Sequence, residues 1–155
     1  IGEIGKGFPI LEEAIDKGIL AVGAEAVGAM EVLYKSTVEY CKTREQFGQP
    51  IGKFQVLQHR MVDMFMEHEQ SKSLLFMAAI KMSSGDEAEK KRSISALKVQ
   101  VGKSGRFVGQ NAIQLHGGMG MTDELNIGHY FKRLTAIETL FGNVDHHLKK
   151  YSNVA

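Results

Sequence analysis

The sequence predicts an all-α fold, an up-down-up-down four-helix bundle followed by a short extra C-terminal helix. Three observations carry this. Apolar or small residues recur every three to four positions along three long stretches and one shorter one, the spacing of a single helix face. Short turns bearing Gly, Pro or Asp separate the stretches. No segment alternates apolar and polar residues with the period of two that a strand requires, and no internal repeat or low-complexity linker interrupts the pattern.

The first helix runs from Phe8 to Cys41 with Leu11, Ile15, Ile19, Val22, Ala26, Met30, Leu33 and Thr37 on one face, and no proline breaks it after Pro9. Its middle is rich in small residues (Gly18, Ala21, Gly23, Ala24, Ala26, Gly28, Ala29). Each glycine there costs about 1 kcal/mol relative to alanine, so something is expected to lie close to that backbone. Beyond TREQFGQP (43–50), a second helix carries Phe54, Leu57, Met61, Met64, Phe65, His68, Leu75, Ala78 and Met82 as far as SSGD. Asp86 and Glu89 read as a capping box that starts a third helix, with Ile94, Leu97, Val101, Val108, Ala112 and Leu115 on its apolar face, halted at HGGMG. A fourth, beginning near Thr122 to Glu124, carries Ile127, Tyr130, Leu134, Ile137 and Phe141, pauses at Gly142–Asn143 and resumes as a short terminal piece through Leu148. At about 1.5 Å per residue the first three helices each span roughly 40 Å or more, and long helices joined by short turns run antiparallel.

The 155 residues suit one domain, 1–155, with a continuous core. Nineteen basic against 18 acidic side chains leave a net charge of +1, which offers no electrostatic basis for nucleic acid or a membrane surface as partner. Cys41 is the only cysteine, so a disulfide framework and a thiolate metal cluster are excluded. No apolar run reaches transmembrane length, and IGEIGKGFPI lacks the pattern of a signal peptide, so a soluble, cytoplasmic protein is expected. The eight methionines read as adaptable core packing.

Two motifs exceed what a connector needs. TREQFGQP packs Arg44, Gln46 and Phe47 into four positions. Arg44 alone fits a cation offsetting the first helix's dipole. With its neighbours it also offers a guanidinium fork for phosphate, an amide that donates and accepts, and a ring face, next to Phe54 and Gln55 at the start of the second helix, whose free N–H groups favour an anion. QLHGGMG (114–120) holds more glycines than the single one a helix C-cap uses, and bare backbone lets another molecule approach. No metal site is expected. His59, Asp63 and Glu67 along one helix stripe read as a solvated charge ladder, and the adjacent His146 and His147 point about 100° apart. His68, on the apolar stripe, reads as a satisfied core residue.

The Arg-x-Gln-Phe-Gly turn, then Ile-x-x-Phe-Gln, and about sixty residues later Gln-x-x-Gly-Gly-x-Gly before an acidic helical tail resemble the C-terminal domain of the acyl-CoA dehydrogenase family, as does the opening GKGFPILEEAIDKG. The resemblance covers essentially the whole chain. It implies a four-helix bundle and, since nothing in the sequence resembles the family's N-terminal helical and middle β domains, a fragment of a longer protein. It implies that Arg44 and Gln46 contact the FAD pyrophosphate with Phe47, Phe54 and Gln55 beside the cofactor. Gln114, Leu115, Gly117 and Gly118 then meet the same FAD, held by the neighbouring subunit of a dimer or tetramer, homomeric or heteromeric. An acyl-CoA substrate and an electron-transferring flavoprotein follow as implied partners, with a role in fatty acid metabolism.

The sequence also departs from the family. The family reaction needs a carboxylate that takes the proton alpha to the thioester carbonyl, commonly a Glu near the end of the fourth helix. That position falls on Gly142 in ETLFGNVDHH, and the alternative position in the first helix falls on Gly18. No catalytic residue is therefore assigned, with Glu138 and Asp145 as neighbouring substitutes, and Gly142→Glu is expected to give or raise dehydrogenation. AEAVG and LFGNVDHHL resemble small subunits of heteromeric acyl-CoA dehydrogenases such as the pimeloyl-CoA enzyme, which implies a base supplied by a related partner. Two further readings stand beside this one: a flavin oxidase or monooxygenase of the same fold, and a non-catalytic helical assembly module.

Overall fold

The computed structural model describes residues 2–83 and 85–153. The described residues form five α-helices: α1 (Phe8–Thr43), α2 (Gln55–Met82), α3 (Glu87–His116), α4 (Ile127–Thr139) and α5 (Val144–Asn153). The bundle and its short terminal helix are as the periodicity predicts. With 36, 28 and 30 residues, the first three helices span about 54, 42 and 45 Å. α3 is the central element, packed against α1, α2, α4 and α5. Its predicted face, Ile94, Leu97, Val101, Val108, Ala112 and Leu115, is buried throughout. Around it gather Ile19, Ala26, Met30 and Leu33 of α1, Met64 and Ala78 of α2, and Ile127, Leu134 and Ile137 of α4.

The small residues of α1 partly serve this packing. A Cβ on Gly23 would lie 2.9 Å from Leu97 Cδ2, so α1 and α3 approach more closely than a side chain there permits. A Cβ on Gly18 would meet the Phe141 ring at 3.0 Å, whereas Gly28 faces open space. Part of what lies close to the α1 backbone is therefore the chain itself.

Several local expectations need correction. TREQFGQP is a small hairpin: β1 (Glu45–Gln46) pairs antiparallel with β2 (Gln49–Pro50), Gln46 opposite Gln49. A 3-10 turn at Ile51–Lys53 leads on to α2. The fourth helix begins at Ile127 rather than near 122, because Gly117–Met121 forms a 3-10 turn of its own. Asp86 does cap α3, accepting from the Ala88 and Glu89 amides at 3.0 and 3.1 Å. The reciprocal half of a capping box is replaced, since Glu89 pairs with Lys81 at 2.6 Å. Leu11, Phe65 and Phe141, expected inside, are exposed. His68 is buried as expected but not satisfied: neither ring nitrogen is hydrogen-bonded, although Glu69 Oε1 lies 3.1 Å from Nδ1 out of line.

On the surface, Arg133 of α4 grips Glu25 of α1 through two parallel hydrogen bonds. Glu67, set in the predicted charge ladder, instead accepts from Ser104 and Gln100 of α3. No helix among the described residues is long and apolar enough to cross a membrane.

Candidate functional site

The hairpin after α1 and the glycine turn after α3 meet at one edge of the bundle. A cavity of about 430 Å³ there is lined by Tyr40, Arg44, Gln46 and Ile51 on one side and by Gln114 through Met119 on the other. Local structure explains each placement. Arg44 is the C-cap of α1, where its amide donates to the Tyr40 carbonyl at 2.8 Å and the chain turns extended. Its own carbonyl accepts from the Ile51 amide at 2.8 Å, which closes the base of the hairpin. Between them, Phe47 (φ 56°) and Gly48 (φ 77°) occupy the centre of a two-residue turn that needs positive φ at both positions. Glycine meets that demand freely; phenylalanine does so at a cost of about 1–2 kcal/mol.

The Arg44 guanidinium has neither an ion-pair nor a hydrogen-bond partner among the described residues. Arg44 thus brings an unpaired, rigid cationic fork to the lining of the cavity, which suits a phosphate group. Gln46 donates its amide nitrogen to the Glu45 carbonyl at 2.8 Å. Across the cavity α3 ends at Gly117, whose φ of 60° and ψ of −139° favour glycine and whose amide donates to the Gln114 carbonyl. Gly118 follows, with no neighbour within 4 Å of where a Cβ would stand.

Of the residues singled out from the sequence, Arg44, Gln46, Gln114, Leu115, Gly117 and Gly118 share this cavity. Phe47, Phe54 and Gln55 do not line it. Phe47 is 91% exposed and meets Phe54 edge-on at 6.1 Å, and Gln55 stands exposed at the start of α2. Tyr40 and His116 line the cavity without having been singled out. Their rings stack at 4.3 Å. Tyr40 lies one turn before Arg44, a spacing that places both on one side of α1 and was the available signal.

A second cavity, of about 460 Å³, lies between α1 and the α4–α5 turn, lined by Phe8, Ile15, Ile19, Phe141, Gly142, His146 and His147 among others. Phe141 (φ 58°) and Gly142 (φ 101°) both have positive φ. The turn is tied down from within. Lys98, fully buried on α3, donates to the carbonyls of Glu138 and Gly142 at 2.8 Å each. His147 Nε2 lies 3.0 Å from the Phe141 carbonyl, and burial pushes this imidazole down to about 4. Gly142 carries no acid, and a Cβ there would lie 2.6 Å from His146 Cδ2. Glu138 accepts from the Val144 amide at 3.4 Å, packing beside Gly102, while Asp145 lies exposed in the first turn of α5.

The sequence profile of the acyl-CoA dehydrogenase C-terminal domain matches residues 5–152. The chain belongs to the acyl-CoA dehydrogenase family. It is 34% identical over 137 residues to the short-chain-specific acyl-CoA dehydrogenase of Megasphaera elsdenii, covering 85% of this chain and 34% of that protein. Among solved structures, it superposes on the butyryl-CoA dehydrogenase of the same organism with a TM-score of 0.91 at 30% identity, covering 97% of this chain and 39% of the other. The FAD complex of PigA matches with a TM-score of 0.90 at 28% identity, over 98% and 39% of the two chains. The chain thus spans between a third and two fifths of the length of these three proteins.

Proposed function

We propose that this chain is the FAD-gripping and oligomer-forming helical domain of an acyl-CoA dehydrogenase subunit, and that the edge cavity receives the pyrophosphate region of an FAD held chiefly by a neighbouring subunit. The observation that carries this reading is the convergence of an unpaired Arg44, Gln46, Gln114 and the Gly117–Gly118 backbone on one cavity. Arg44 supplies charge and a donor fork, the two amides supply adaptable hydrogen bonds, and the glycines leave room for close approach. When bound, the flavin supplies the hydride acceptor for α,β-dehydrogenation of an acyl-CoA thioester. An electron-transferring flavoprotein would be the onward electron acceptor.

The second cavity supports the heteromeric form of the proposal. Position 142 holds no proton acceptor, Glu138 is engaged at the α5 N-terminus, and Gly18 is covered by the Phe141 ring. A related partner subunit supplies the carboxylate base, while this one contributes cofactor contacts and interface, as in small subunits of heteromeric members. The same lack of a base at 142 favours one alternative, a flavin oxidase or monooxygenase of this fold, which oxygen consumption by the flavin-loaded protein separates from the dehydrogenase.

The test is Arg44→Ala in the full-length assembly. Removal of a charge-assisted phosphate contact worth about 1.5–3 kcal/mol is expected to weaken FAD retention at least tenfold. Unchanged flavin occupancy after dialysis removes the basis for this reading. Purified full-length protein with no flavin absorption, alone or with its partner, points instead to an assembly module.

A further inference from the structure

His116 is a polar residue of the edge cavity that this reading leaves unused. His116, the last residue of α3, is 5% exposed, and its ring lies stacked on Tyr40. Nδ1 stands 2.8 Å from the Ala112 carbonyl. A carbonyl oxygen only accepts, so Nδ1 carries the hydrogen. Burial also holds this imidazole below its ordinary pKa, which keeps the ring neutral near pH 7. Nε2 is therefore a bare lone pair. It has no partner among the described residues, and His116 is one of the residues lining the cavity.

That lone pair has a consequence for what the cavity accepts. Arg44 offers only donors, whereas the His116 ring, fixed in one tautomer, offers only an acceptor. A fully ionised phosphate matches the first and repels the second. A ligand that satisfies both presents anionic oxygens and, a few atoms away, an N–H or O–H group. A dinucleotide has both, in its pyrophosphate and in its sugar hydroxyls or adenine amine.

We propose that His116 Nε2 accepts a hydrogen bond from a hydroxyl or exocyclic amine of the dinucleotide, and so helps determine which nucleotide the cavity retains. This inference rests on the flavin reading above. It also makes retention pH-dependent, because a proton on Nε2 turns the acceptor into a donor. The titratable and charged groups lining the cavity beside it are Tyr40, stacked on the ring, and Arg44.

The experiment uses the full-length protein in its native assembly, stripped of flavin and titrated with FAD. His116→Phe keeps an aromatic ring on Tyr40 and removes the lone pair; it is expected to raise the FAD Kd about tenfold, the value of one hydrogen bond. His116→Gln, which presents an amide oxygen, recovers part of that loss, and thermal unfolding of all three proteins shows that the differences are not of folding. Wild-type affinity falls as the pH is lowered through the ring's titration, while the Phe variant lacks that component. Flavin hypoxanthine dinucleotide, in which a carbonyl replaces the adenine amine, locates the donor: a wild-type loss of about tenfold identifies the amine, and an unchanged Kd together with the Phe-variant loss identifies a hydroxyl. If His116→Phe binds FAD as tightly as wild type while Arg44→Ala loses it, the role of His116 is overturned and the flavin reading stands. If both variants bind as wild type, both fall.

Discussion

Replacing Lys98 by Met tests whether a buried ammonium holds the turn that shapes the second cavity. The Lys98 side chain is fully buried on α3, and Nζ donates at 2.8 Å to the carbonyls of Glu138 and Gly142. Met keeps much of the apolar stem, so the change removes two charge-assisted bonds and leaves two carbonyls short of a donor. Each such loss is worth about 1–3 kcal/mol. Against it stands the relief of burying a charge, the same desolvation that holds the Lys98 pKa below its ordinary value. Because both part-buried carbonyls lose their donor in the substitution, the loss outweighs the relief, and a net destabilisation of about 2–4 kcal/mol is expected. Guanidinium unfolding of the full-length protein, followed by far-ultraviolet circular dichroism, measures it. Hydrogen exchange adds a local readout, since the Val144 and His147 amides, bonded to Glu138 and Asn143, should exchange faster. An unchanged midpoint with unchanged exchange at 144 and 147 refutes the argument.

Two further outcomes follow from the same region. His147 is held at about 4 against an ordinary 6.5, so the folded state resists a proton that the unfolded state accepts. Its stabilising contribution is complete above pH 6.5 and is lost as the pH falls towards 4, roughly 3 kcal/mol in all. Unfolding free energies at pH 7 and 4.5 should therefore differ less in His147→Gln than in wild type; equal differences contradict the assignment. Gly142→Glu, which the sequence suggests as a gain of function, is now expected to fail. Positive φ costs the new side chain about 1–2 kcal/mol, and its Cβ meets the His146 ring at 2.6 Å. A lowered unfolding midpoint without increased acyl-CoA turnover is the expected result, and increased turnover would show that the turn yields.

The helices were legible because periodicity is a local property. Ile94 through Leu115 all face inward as spaced, and Asp86 caps α3 as its identity suggests. What escaped depends on residues distant in sequence. Nothing in the local sequence marks Lys98, beside Leu97, as buried, since the carbonyls that close over it lie 40 and 44 residues later. Phe141 continues a helical stripe in sequence, yet α4 has ended at Thr139 and its ring turns onto Gly18. The hairpin strands are two residues each, too short to show any alternation. In the candidate site, Arg44, Gln46 and the glycines stood out by their unusual density. Tyr40 and His116 did not, because a tyrosine and a histidine at helix ends are unremarkable until the fold stacks them.

The central position of α3 also orders the assembly of the chain. During synthesis the α1, α2 and α3 segments emerge before Glu138 and Gly142, so the Lys98 ammonium has neither carbonyl acceptor at first and holds water on a helix face that is later buried. Only when the last two helices dock is that water expelled. Closure of the core is thereby coupled to completion of the C-terminal segment, and a nascent chain that stops short of Glu138 lacks both Lys98 acceptors and is a loosely packed target for proteolysis.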